Sequence, residues 1–169
     1  GNAVVNAGTL NKISTATQTI SLDFDNSGTA KVTTGILDLS GNGTHAGSFA
    51  VNDAAGELRF TGGTHSFGAA ALSGPGLVRV NGATLDIGGA TVVANPFTLQ
   101  AGTVTGTGSL TLNGAFTLSG GTLSGTGALV TNGTTAVNNG TAILDRRAWN
   151  NFGAMGINGR LNLDNGATF

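Results

Sequence analysis

The chain has 169 residues and a formal net charge of −1, and it contains 30 glycines, 2 prolines and no cysteine. Charged residues make up only 9% of it, where about 25% is usual, and glycine is more than twice as frequent as average. A disordered chain would show the opposite balance of charged and apolar residues, and collagen would show a strict glycine period. Binding to nucleic acid or to an anionic membrane would need positive charge, and the absence of an apolar run of about 18 residues predicts no membrane insertion.

The first half of the chain carries short motifs that return after 20 positions. The pattern Asn-x-Gly-Thr occurs at 6–9 and again at 26–29, and the triplet Gly-Thr-His occurs at 43–45 and again at 63–65. Glycine and asparagine favour turns, and a fixed period of about 20 to 50 residues is typical of solenoids. We therefore predict stacked coils in which the two histidines occupy the same coil position.

The stretch 101–137 contains two copies of one sequence repeat. A shift of 19 positions places Gly102 on Gly121 and Leu110 on Leu129. One such coil cannot bury its own apolar residues, whereas coils stacked about 4.8 Å apart bury them against each other. We expect three apolar pairs to stack in neighbouring coils: Phe97 with Phe116, Leu99 with Leu118, and Val104 with Leu123.

Within one unit, 97–115, three short alternating segments are separated by turns rich in glycine and asparagine. Alternation with a period of two leaves one side buried and the other exposed, and no segment has the spacing of a surface helix. The sequence predicts an all-β fold, a right-handed parallel β-helix with three faces of short strands and about 19–20 residues per coil. One continuous solenoid of about eight or nine coils is expected over 1–169, as a fragment of a longer repetitive chain or a subunit of a fibre.

In the last part of the chain the repeat loosens after a predicted turn at 138–141. Trp149 still aligns with Phe24, and this alignment favours a buried core position for the indole. The alternative is a ligand-binding role, in which Trp149 stacks on a sugar or another ligand beside Arg146 and Arg147.

Two segments, GTVTGTGSLTLNGAFTLSGGTLSGTG and GTAKVTTGILDLSGNGTHAGSF, resemble the repeat regions of large bacterial surface and secreted proteins. These include autotransporter passenger regions and filamentous-haemagglutinin-like adhesins. The resemblance implies an extracellular, non-catalytic stalk, scaffold or filament at the bacterial cell surface. It also implies self-association through the solenoid ends, or more of the same chain there, and contact with glycans or cell surfaces. It transfers no functional residue, because such repeats have no active-site motif.

The sequence offers two candidate metal sites. His45 and His65, stacked on adjacent coils about 5 Å apart, supply two nitrogens, but no acid or cysteine repeats beside them as a third ligand. Asp23 and Asp25 open a D-x-D-x-S-G pattern like that of a calcium loop, but Thr34 stands where the loop needs glutamate. In both cases inheritance of the repeat is the favoured explanation, and we expect no metal and no cofactor.

Parallel β-helices also carry polysaccharide lyases and glycosidases, which need clustered carboxylates. The sequence places no pair of the mid-chain acids on one face, so we expect no enzyme activity and keep a carbohydrate-binding or polysaccharide-degrading β-helix as the alternative. A threonine array of the kind that binds ice would need its register kept over many coils, and the repeat keeps it over only a few. The charged residues in question are Asp38, Asp53, Glu57, Arg59, Arg79 and Asp86.

Overall fold

The computed structural model describes residues 1–138 and 140–169. The described residues form 23 strands and no helix, so none of them belongs to a helix that could span a bilayer. The predicted turn at 138–141 includes Asn139, which lies outside the described residues. The strands are β1 (Ala3–Asn6), β2 (Thr9–Lys12), β3 (Thr17–Ile20), β4 (Asp23–Asn26), β5 (Thr29–Val32), β6 (Ile36–Leu39), β7 (Gly43–His45), β8 (Ser48–Val51), β9 (Glu57–Phe60), β10 (Thr64–Phe67), β11 (Ala71–Ser73), β12 (Leu77–Ile87), β13 (Thr91–Val93), β14 (Phe97–Thr105), β15 (Leu110–Leu112), β16 (Phe116–Leu118), β17 (Thr122–Leu123), β18 (Leu129–Thr131), β19 (Thr135–Val137), β20 (Thr141–Asp145), β21 (Trp149–Asn151), β22 (Met155–Ile157) and β23 (Arg160–Asp164).

Three parallel ladders run the length of the described structure. Face 1 begins with β1, β4, β7 and β10, and ends with β17, β20 and β23. Face 2 is the 8-stranded sheet of β2, β5, β8, β11, β13, β15, β18 and β21, and face 3 contains β3, β6, β9, β16, β19 and β22. Every strand pairs with the strand one coil away, so the predicted all-β parallel solenoid with three faces is confirmed.

Two long strands join faces 1 and 3 into one 15-stranded sheet. The first half of β12 pairs with β9 on face 3, and its second half pairs with β10 on face 1. β14 follows β12 round the same corner, with register shifts near Asn81. The strands therefore run through this corner with an irregular register, whereas the other corners break the strands into separate elements.

The coils from β12 to β19 are uniform, whereas the spacing rises to 20 or 21 positions where β20, β21 and β22 join the ladders. Phe97 pairs with Phe116 and Thr135 pairs with Phe116, each 19 positions apart. Leu99 lies opposite Leu118, and the Val104–Leu123 pair has the same spacing on face 1. All three predicted apolar stacks are confirmed, because equal coil lengths bring equal repeat positions into contact.

One coil is wider than the rest, and the predicted register is wrong there. His65 lies opposite Gly43, and Phe67 lies opposite His45, a spacing of 22 positions. On face 2 the spacing in this coil rises to 23 positions. The additional residues enter from the turn at 52–56 onward, so the two Gly-Thr-His triplets are out of register although their sequences match.

Inward side chains of all three faces form one apolar core, and burial of a Leu, Val or Phe side chain stabilises the fold by about 1.5–3 kcal/mol. At a corner of the uniform coils, Gly125 stacks on Gly106, with φ of 87° and 108°. A Cβ on Gly125 would lie 2.3 Å from the Gly106 carbonyl oxygen. These corners therefore require glycine both for their left-handed backbone and for close stacking.

Candidate functional site

The two histidines of the chain form a buried pair in the wide coil. His45 ends β7 and His65 lies in β10, and both side chains are 0% exposed. Their rings stack at a centroid distance of 5.3 Å and an interplanar angle of 16°. Nε2 of His65 donates to the Gly62 carbonyl at 3.2 Å, so Nδ1 of His65 accepts from Nε2 of His45 at 3.0 Å. Nδ1 of His45 finds no hydrogen-bond partner within the described residues.

Four phenylalanines surround the pair, and a glycine makes room for it. Ring centroids of His45 and the phenylalanines lie 4.9 to 6.3 Å apart. A Cβ on Gly43 would lie 2.8 Å from Cε1 of His45, so the missing side chain of Gly43, two residues before His45 in β7, leaves space for the His45 ring. The phenylalanines are Phe24, Phe49, Phe60 and Phe67.

Burial keeps both rings neutral. Desolvation lowers the pKa of His45 to about 3, with a further contribution from His65, while the Asp25 carboxylate opposes the shift. Desolvation likewise lowers the pKa of His65 to about 4, against the Gly62 hydrogen bond and Asp23. As a metal site the pair lacks ligands, because no group of three His, Cys, Asp or Glu within the described part of the chain is placed to hold an ion.

The calcium-like segment forms strand β4 and the bend that follows it. In β4, Phe24 is buried while Asp23 and Asp25 face outward. One oxygen of Asp23 accepts two bonds from Asn42, each 3.1 Å, and one oxygen of Asp25 accepts from the Thr44 amide at 2.9 Å and hydroxyl at 2.7 Å. These bonds lower the pKa of Asp25. The carboxylates link neighbouring coils, and the extended backbone does not wrap around a common point.

On face 3 the structure brings together charges that the sequence left scattered. Arg59 lies opposite both Asp38 and Arg79. Glu57 accepts from Arg59 at 2.9 Å and from Arg79 at 2.6 Å. Burial raises the pKa of Glu57, but the bonds from the two arginines lower it overall. Glu57 is thus an ionised carboxylate held by two cations, which fits an ion-pair ladder and not a general acid.

Of the remaining mid-chain acids, Asp38 lies on face 3 with Glu57, so the expectation that no pair shares a face is wrong for these two, while Asp53 and Asp86 lie elsewhere. Asp38 accepts from the hydroxyl of Thr61 at 2.9 Å. Asp53 closes the turn of the wide coil, where its carboxylate accepts from the amide of Ala55 at 3.0 Å. Asp86 lies on face 1, in β12. The acids therefore do not converge on one catalytic centre.

Trp149 belongs to the core, as its alignment with Phe24 favoured, but on a different face. It lies on face 2 opposite Leu129, whereas Phe24 lies on face 1. The indole is 1% exposed, and its Nε1 donates to the Thr131 hydroxyl at 2.9 Å. Phe169 covers it with a ring distance of 5.3 Å. A sugar therefore has no access to this ring.

Arg147 is a buried cation that sequence reasoning assigned only to a ligand contact. It is 0% exposed, and its Nε donates to the Ser124 carbonyl at 2.7 Å. Its Nη2 lies 3.4 Å from the Gly106 carbonyl, and burial lowers its pKa. Lys12 does the same in the first coil, donating to the Thr34 carbonyl at 2.9 Å. Both cations link corner carbonyls of successive coils. The signal in the sequence that could have indicated their burial is a basic residue at a position where the alternation expects an inward side chain.

Face 1 carries a row of threonines. Four outward threonines stand in register on successive coils of this face, in β10, β12, β14 and β17. The sequence predicted such a register over only a few coils, and the structure keeps it over four. The row comprises Thr64, Thr84, Thr103 and Thr122.

What the chain shows by itself is thus a filled solenoid with paired surface charges and a buried histidine pair. Comparison with family models, with curated proteins and with solved structures finds no match.

Proposed function

We propose that this chain is a non-catalytic, extracellular structural protein, the β-helical stalk or scaffold of a bacterial surface adhesin or a subunit of an extracellular filament. One observation carries the proposal: three parallel ladders continue without interruption through eight coils around a core filled by side chains. Such a column resists bending and compression, because every coil is hydrogen-bonded along three faces to the next.

The interior and the surface charges support this function. The void bounded by Phe67, Ile87 and Phe97 measures about 10 Å³, which is about the minimum for one water. Glu57, the most enclosed carboxylate, is neutralised by two arginines. A substrate would therefore find neither a cavity nor a free catalytic carboxylate at these places.

The outermost coils suggest the partner. At one end Val5 is 71% and Ile13 is 69% exposed, and at the other Ile157 is 55% and Leu163 is 52% exposed. Strand edges and apolar residues at a solenoid end are normally covered by a further coil or a cap. We infer that further coils stack on these edges, either from the same chain or from another copy.

Electron microscopy and an activity assay test the proposal together. A single copy is expected as a rod with a coiled part about 40 Å long, at about 4.8 Å per coil. Incubation with acidic and neutral polysaccharides is expected to release no reducing ends and no unsaturated products. Turnover that disappears in Asp38→Asn or Asp86→Asn would refute the structural function. Fibres that lengthen with concentration and shorten in Val5→Lys would assign the partner to a second copy.

The carbohydrate-binding alternative has one observation in its favour. Phe152 is 75% exposed at the solenoid end, beside Asn150 and Asn151, and an exposed aromatic ring flanked by amides suits stacking on a sugar. Because Trp149 is buried, Phe152 replaces it as the residue to test. Retention on a glycan column that Phe152→Ala abolishes and Val5→Ala leaves intact would favour this alternative.

A further inference from the structure

The buried histidine pair has no acceptor that would stabilise a protonated ring. His45 and His65 use one hydrogen bond on each other and one on the Gly62 carbonyl, and Nδ1 of His45 stays bare among aromatic rings within the described residues. A proton added to that nitrogen would create a buried cation without an acceptor. Burying such a charge is far more costly than burying the neutral ring.

Charged groups on the strands around the pair do not compensate for it. Their side chains alternate with buried residues and point away from the core, and several are already engaged with partners of their own. The carboxylates of Asp23 and Asp25 favour protonated rings, but desolvation outweighs them. β8 contributes no ionisable side chain. The groups are Asp23 and Asp25 on β4, Asp38 on β6, Glu57 and Arg59 on β9, and Arg79 and Asp86 on β12.

We propose that the stacked His45–His65 pair is an acid-sensitive device that loosens this solenoid in mildly acidic solution. The folded coil holds both imidazoles neutral and dry, and the unfolded coil lets both take up protons from water. The direction follows from linkage, because the state that binds more protons gains population as the pH falls.

The pH window follows from the two states. Imidazoles in the unfolded chain have a pKa of about 6.5, while burial lowers the pKa of the folded rings to about 3 and about 4. The stability that the pair contributes is complete above pH 6.5 and is lost progressively as the pH falls towards the folded pKa values. Two independent protons multiply the unfolding equilibrium constant about a hundredfold between pH 7.5 and 5.5, and one proton multiplies it about tenfold.

Denaturant unfolding at pH 7.5 and 5.5 tests this prediction with matched variants. The wild-type chain is expected to show the factor of about one hundred, each of His45→Leu and His65→Leu a factor of about ten, and the double variant almost none. Asp25→Asn is the control, because it removes the carboxylate that opposes the pKa shift of His45 and leaves both rings, and it is expected to keep the wild-type factor. A wild-type factor near one, or an undiminished factor in the double variant, would overturn the proposal.

A measurement on the unsubstituted chain keeps the test independent of whether the variants fold. The protein has only two histidines, so their ring proton signals are assigned without ambiguity by NMR. Both signals are expected to stay at their neutral positions from pH 7.5 to 5.5 while the chain is folded. Titration of either ring near pH 6.5 in the folded protein would contradict the proposal.

Discussion

The uniform coils and the wide coil of this solenoid solve the same stacking problem in different ways. In the uniform coils a spacing of 19 positions sets Phe97 on Phe116, and like residues stack with no residue left over. In the wide coil a spacing of 22 positions sets His65 opposite Gly43, and unlike residues must fit each other. Additional residues in a corner therefore change which side chains meet, while the faces remain unbroken.

The largest expected effect breaks the uniform region at its core. Leu110 is 2% exposed between neighbouring leucine and threonine positions of face 2, so Leu110→Asp buries an unpaired charge and is expected to cost about 3–5 kcal/mol of unfolding free energy. Thr111→Asp, one residue along and facing outward, is the control, with an expected change within about 0.5 kcal/mol. Equal melting temperatures of the two variants would show that the strand register is wrong.

Substitution of Arg147 tests whether the stability of the less regular coils after the uniform region depends on a buried cation. Arg147→Ala removes a side chain that ties Ser124 to a later coil, and leaves a cavity and an unpaired carbonyl. We expect a loss of about 2–3 kcal/mol by chemical denaturation. The neighbouring Arg146→Ala, whose guanidinium is exposed and pairs with Asp145 at 3.4 Å, should change stability by less than about 0.5 kcal/mol. Similar losses in both would mean that the buried contacts contribute nothing specific.

Two glycine substitutions compare the corners directly. Gly125→Ala forces an L side chain into a backbone with φ of 87° and against the Gly106 carbonyl, at an expected cost of about 1–3 kcal/mol. Gly68, a corner of the wide coil, has its nearest neighbour atom 3.8 Å from a built Cβ, so Gly68→Ala should stay within about 0.5 kcal/mol. Thermal unfolding measures both variants, and equal shifts of the melting temperature would show that the two corners do not differ in their need for glycine.

The smallest expected effect concerns the ion pairs of face 3. Arg79→Gln removes one partner of Glu57 and should cost about 1 kcal/mol or less, because the pair is partly exposed. Since the pKa of Glu57 is lowered in the folded state, its contribution is present above the ordinary value of about 4.5 and is lost as the pH falls below it. Glu57→Gln should therefore flatten the stability profile only in that acidic range. If Glu57→Gln also flattened the stability profile near pH 6.5, Glu57 and not the histidine pair would be the source of the pH dependence there.

Much of the fold follows from local pattern. The alternation in 97–115 predicts short strands, and the shift of 19 predicts which of Phe97, Leu99 and Val104 meets which partner; the structure agrees on each. The pattern also predicts the burial of Trp149. It fails for the face of Trp149 and for the register of the two histidines, since both were inferred from motifs whose coils differ in length.

Local sequence pattern is enough to predict a β-solenoid for this chain, because strand alternation and turn residues act over a few neighbouring positions. Three contacts depend on how the coils stack and do not follow from local pattern. His45 reaches His65 past a glycine, Glu57 is bound by Arg59 and Arg79, and Arg147 is buried. The physical reason is cumulative: the residue that stands opposite another depends on the length of every corner between them. A single additional residue moves each later position along its coil.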